Sequence, residues 1–132
     1  MTMNPLAHAK LTLGILLLLV FCVSTVQASG AAVYHTVVFW LKPDTPQTTL
    51  DAILASVQSM EDLPMVEAVY VGTPIMSDRD VVDDGFSVAF TMTFKDEAAL
   101  QAYNADPDHK RSSALTLPHV ARGVIYDYQS QY

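Results

Sequence analysis

The stretch Phe94-Lys95-Asp96-Glu97-Ala98-Ala99-Leu100-Gln101-Ala102-Tyr103-Asn104-Ala105-Asp106-Pro107-Asp108-His109 reads as the end of a strand, a short helix and the opening of a second helix. Asp106 suits an N-cap, because its carboxylate can accept from free amide hydrogens of the first turn. Pro107 suits the first helical position, where no donor is needed. His109 therefore falls in the first turn of the second helix, one helix away from Tyr103. A titratable ring held at a helix start near a phenol is the candidate for chemistry in this chain.

Outward from that stretch the pattern is regular. Val33–Leu41 is rich in β-branched and aromatic residues and stops at Lys42-Pro43-Asp44. It reads as a strand whose two faces are both largely apolar, so both should be covered. Thr45-Pro46 opens a helix by the same cap-then-proline logic, and Leu50, Ile53, Leu54, Val57 and Met60 form its apolar stripe. Residues 66–73 form a second strand, closed by Gly72-Thr73-Pro74, and 77–85 form an acidic, solvated loop. A third strand, 86–94, points Phe86, Val88, Phe90, Met92 and Phe94 one way and Ser87, Ala89, Thr91 and Thr93 the other. Helices over 96–105 and 107–120 follow, then a short last strand over 123–128.

The order strand, helix, strand, strand, helix, strand with right-handed crossovers predicts an α+β, ferredoxin-like βαββαβ fold with a four-stranded antiparallel sheet. Its helices can cover only one face. The other face carries aromatic and aliphatic side chains, and the cost of leaving them wet predicts a homodimer paired through the sheet face, a dimeric α/β barrel.

The chain has 132 residues, enough for one domain. A short basic start ends at Lys10, an uncharged run follows from Leu11 to Val23, and Val26-Gln27-Ala28 places small residues where a signal peptidase cuts. Residues 1–28 therefore read as a signal peptide and the protein as exported, periplasmic or secreted. The apolar run falls short of the roughly 20 residues a membrane span needs, which favours a cleaved leader over a retained anchor, and no membrane association is expected after cleavage. Cys22, the lone cysteine, lies inside that run behind bulky Val20 and Phe21, which argues against a lipid anchor and leaves no disulfide in the mature part.

Seven basic residues stand against fourteen acidic ones, and removal of Lys10 with the leader makes the balance more acidic by one. With no cluster of Lys and Arg, nucleic acid and anionic lipid are poor partners.

His35 shares a strand face with Val37, Phe39 and Leu41. If that face lines the barrel cavity, its imidazole borders an apolar pocket and can move a proton near neutrality; otherwise it is a buried, hydrogen-bonded core histidine. For His109 the helix dipole should lower the pKa while Asp106 and Asp108 oppose this, making it either a general base beside Tyr103 or a packing residue between helices. His119 sits near a helix end and reads as structural. No metal site is expected, since no His-x-x-x-His or cysteine pair occurs and the Asp-rich loop lacks calcium-loop spacing. No glycine-rich phosphate loop and no glycine elbow around Ser112 or Ser113 is found, so neither a cofactor nor a serine hydrolase is expected.

Four spaced segments carry a family resemblance: Tyr34-His35-Thr36-Val37-Val38-Phe39, Val69-Tyr70-Val71-Gly72, Phe94 to His109 with its Tyr103, Pro107 and His109 core, and Val124-Ile125-Tyr126-Asp127-Tyr128. Together they resemble the stress-responsive A/B barrel (Dabb) domain family over 33–128, leaving 129–132 as a C-terminal tail. The resemblance implies a dimeric ferredoxin-like barrel. A plant polyketide cyclase of that family is similar in having a first-strand His, a Tyr and a His at the positions of His35, Tyr103 and His109. Where that cyclase has a third-strand His and a first-helix Tyr, this chain has Val88 and either Ser56 or Val57. Two functions follow as expectations. One is a pocket that binds or converts a small apolar, aromatic or polyketide-like molecule, with His35 and His109 handling protons and Tyr103 donating a hydrogen bond. The other is a non-catalytic stress-response dimer.

Overall fold

The computed structural model describes residues 31–131, so the expected leader and Cys22 lie outside the described residues. Strand β1 (Val33–Leu41) leads to helix α1 (Gln47–Gln58) and a 3-10 turn at Ser59–Asp62. Strands β2 (Ala68–Gly72) and β3 (Val88–Phe94) come next, then helices α2 (Glu97–Ala105) and α3 (Pro107–Thr116). A second 3-10 turn, Leu117–His119, hands the chain to β4 (Val120–Gln129). The strands lie in the order β2-β3-β1-β4 and every neighbouring pair is antiparallel. This is the ferredoxin-like α+β architecture.

Register explains which side chains meet. His35 stands opposite Met92 on β3 and Asp127 on β4, and Val37 stands opposite Phe90 and Ile125. Because side chains alternate along each strand, all of these share one face with Val33, Phe39, Val88 and Phe94. The helices cover that face. Ile53 and Val57 of α1, then Leu100 and Tyr103 of α2, complete its core. Burying each such side chain is worth roughly 1.5–3 kcal/mol, which is why the helical stripes face the sheet. At β4, Gly123 makes room for a ring: a Cβ there would meet Phe39 Cε1 at 2.9 Å.

No helix among the described residues covers the opposite face. Tyr34 and Tyr128 stack at 5.1 Å, the hydroxyls of Thr36 and Thr91 bond at 2.9 Å, and Arg122 lies 4.2 Å above the Trp40 ring. Tyr70, Tyr126 and Tyr128 are all exposed in the single chain.

Several boundaries differ from the expected ones. Thr45 is not the cap of α1: Pro46 takes that position in an extended conformation, and its carbonyl accepts from Thr49 and Leu50. The Thr45 hydroxyl is left buried without a partner. Strand β3 starts two residues late. The Ser87 hydroxyl accepts from the Leu41 amide, and Phe86 turns to the open face beside Trp40 and Arg122 rather than joining Val88. Helix α3 stops at Thr116 instead of 120, because Pro118 lacks the amide a further turn requires. Val120 is then free to pair with Leu41, which lengthens β4 at its start. The acidic loop is more ordered than a solvated reading implies, since Asp84 accepts from the Ser77 amide and Asp83 from that of Gly85.

Candidate functional site

Two aspartate caps build the site, Asp106 as read from the sequence and Asp96 in addition. Asp96 accepts from the Ala99 amide and starts α2; Asp106 accepts from the Asp108 amide, and Pro107 opens α3. The sharp turn between these helices folds His109 back over Tyr103, with ring centroids 4.3 Å apart. Below, Tyr103 rests on Phe94 at 5.2 Å and meets His35 at 5.9 Å. One phenol thus stands between two imidazoles that come from opposite ends of the domain.

These three residues border a hollow of about 260 Å³ between sheet and helices. Val37, Phe39, Val57, Phe90, Leu117 and Ile125 supply its apolar wall, and Asn104, Ser112, Ser113 and Thr116 its polar one. The hollow lies under the helices of a single chain, so the face bearing His35 does not look into a space between two paired sheets. A sheet face cannot serve both sides, and the helices hold this one.

His35 is 7% exposed, and its Nδ1 sits 2.6 Å from Asp127 Oδ1. Since a carboxylate only accepts, Nδ1 carries the hydrogen of this contact. Sequence reasoning passed over Asp127 as a site residue. The available signal was an acid within the aromatic run Val124-Ile125-Tyr126-Asp127-Tyr128, at a position that alternation puts on the Ile125 face. His109 Nδ1 lies 3.4 Å from the Asn104 carbonyl, which can only accept, so its Nε2 takes the hydrogen of Ser113 Oγ at 3.3 Å. His119 is elsewhere, in the turn before β4, where its carbonyl accepts from the Lys42 amide. Among the described residues no three His, Cys, Asp or Glu side chains converge as metal ligands would. Nor is any described helix long and apolar enough to cross a membrane.

Burial is the leading cause that lowers the His109 pKa, opposed by the Asn104 carbonyl and reinforced by the nearby His35. Asp106 does oppose the shift as expected, whereas Asp108 is engaged by Arg111. Burial also pushes the Tyr103 phenol up to about 12, so it is a donor throughout the physiological range.

The Tyr103 shift has a sign that can be checked. Above pH 10 the unfolded chain releases a proton that the folded protein keeps, so stability falls with rising pH until about 12. A shift of that size corresponds to roughly 2–3 kcal/mol. Urea unfolding followed from pH 9 to 11.5 should show this loss in the wild type and a shallower one in Tyr103→Phe. Equal slopes would contradict a buried phenol.

Similarity to known proteins agrees with this architecture. The profile of the stress responsive A/B barrel domain matches residues 33–130. A hydroxynitrile lyase from Passiflora edulis superposes with a TM-score of 0.70 at 22% identity, over 76% of this chain and 94% of that one. A Dabb family protein with a ferredoxin-like fold from Mesorhizobium loti gives 0.63 at 25% identity, over 77% and 99%. A dimeric ferredoxin-like protein of unknown function from Thermobifida fusca gives 0.65 at 17%, over 76% and 92%. No functionally curated sequence shows significant similarity to the chain. At these identities the superpositions speak for the fold alone, whereas the profile spans nearly all of 31–131, and the chain belongs to the stress responsive A/B barrel domain family.

Proposed function

We propose that this chain is an exported homodimer whose helix-covered hollow binds a small apolar or aromatic molecule and performs acid–base chemistry on it. The observation that carries this reading is the row His35–Tyr103–His109 at 5.9 and 4.3 Å, placed on an otherwise apolar hollow with Asp127 behind His35. Convergent polar groups on an apolar concavity are the usual mark of a small-molecule site. In the proposed chemistry His35 Nε2 takes a proton, Asp127 supports the imidazolium that forms, and the Tyr103 hydroxyl holds the ligand oxygen where charge develops. Pairing of two chains is supported by the uncovered tyrosines of the sheet and by the dimeric description of the Thermobifida fusca neighbour. Export rests on the sequence of residues 1–28.

Thermal unfolding of wild type, His35→Ala and His109→Ala across a panel of small aromatic compounds tests the reading. A ligand at about ten times its Kd adds roughly 1.4 kcal/mol, which is several degrees of Tm for a domain this size. That shift is expected in the wild type and absent from both variants. Variants that lose stability but keep every shift would favour a non-catalytic dimer instead.

A further inference from the structure

The hollow bears no formal charge of its own. None of the residues lining it is Asp, Glu, Lys or Arg. The Asp127 carboxylate has an oxygen engaged with His35 Nδ1 at 2.6 Å and its side chain is half exposed, while Asp106 and Lys110 act on His109 without lining the hollow. His109 is held as a neutral ring, its Nδ1 hydrogen directed to the Asn104 carbonyl and its Nε2 receiving the Ser113 hydroxyl. Tyr103 Oη, as a donor, and His35 Nε2 still have hydrogen-bonding capacity, neither bonded to another described residue, and the Asn104 side chain adds a further polar group on the wall.

We infer that the occupant of this hollow is an uncharged, single-ring aromatic compound carrying a carbonyl or hydroxyl oxygen, and that carboxylates and ammonium compounds of the same shape are rejected. This rests on the small-molecule reading of the site and narrows it. The size follows from volume: a dry cavity of about 150 Å³ takes one benzene, so about 260 Å³ takes one ring with a few further atoms. The charge follows from desolvation. An ion entering such a wall loses its water and finds no carboxylate, ammonium or guanidinium among the lining residues to pair with, which costs more than burying the ring returns. The oxygen follows from Tyr103, whose hydroxyl needs an acceptor once water has left.

Isothermal titration at pH 8 with three probes of one shape, acetophenone, benzoate and benzylammonium, tests the inference. Acetophenone is expected to bind at least 30-fold more tightly than either ion. In Leu117→Arg, a change at the 58% exposed rim of the hollow, the affinity for benzoate relative to acetophenone should rise about tenfold. Benzoate or benzylammonium binding within threefold of acetophenone would overturn the charge selection while leaving the pocket in place. Failure of Leu117→Arg to favour benzoate would do the same. Absence of binding by all three probes would remove the pocket reading, and this inference with it.

Discussion

Replacing Phe94 by Ala is expected to lower the unfolding free energy by about 3–5 kcal/mol, the usual cost of deleting a fully buried ring. Phe94 is 0% exposed, closes β3 opposite Val33 and carries the Tyr103 ring at 5.2 Å. Losing it removes buried area and opens a void directly beneath the phenol, where α2 cannot settle without moving Tyr103. Urea unfolding should show a lower midpoint with an unchanged slope. Ile75, exposed on the loop before β3, provides the comparison, and its replacement by Ala should stay within about 0.5 kcal/mol. A Phe94→Ala loss below 1 kcal/mol would mean that the ring is not packed as described.

The second large effect is chemical. His35→Gln is expected to reduce turnover of any substrate the pocket converts by about 10²- to 10⁴-fold, the range of a lost general base. Glutamine can fill the imidazole's place and still face Asp127, but it cannot take up a proton at neutral pH. The fold should survive, because Asp127 is half exposed and remains hydrated when its partner changes. Asp127→Asn tests the support separately. It should lower turnover less than His35→Gln does, since an amide still holds the ring in place but no longer offsets the charge it takes up in the reaction. Equal activity of wild type and His35→Gln would take His35 out of the mechanism.

Locally encoded features were legible in the sequence. The Asp106-Pro107 pair acts on the next few residues of its own chain, so the start of α3 and the placing of His109 near Tyr103 could be read directly. The alternation of Val33–Leu41 likewise needed no partner to be seen. What escaped reading depends on distant segments. Asp127 and His35 are 92 residues apart, and only the β1–β4 register brings them together. The early start of β4 needs the Val120–Leu41 pairing, and Phe86 leaves its strand because the Ser87 side chain replaces a ladder bond. For His109 the residues suggested a helix-dipole effect, but its pKa is set mainly by burial, which becomes visible only once the sheet and helices have met.

The most direct measurement is a nitrogen-15 NMR titration of histidine-labelled protein with acetophenone. The resonances of His35 and His109 should move along one saturation curve while those of His119, outside the hollow, stay fixed. Movement of His119 alone, or no movement of either pocket ring at saturating probe, would contradict a shared site for these two imidazoles.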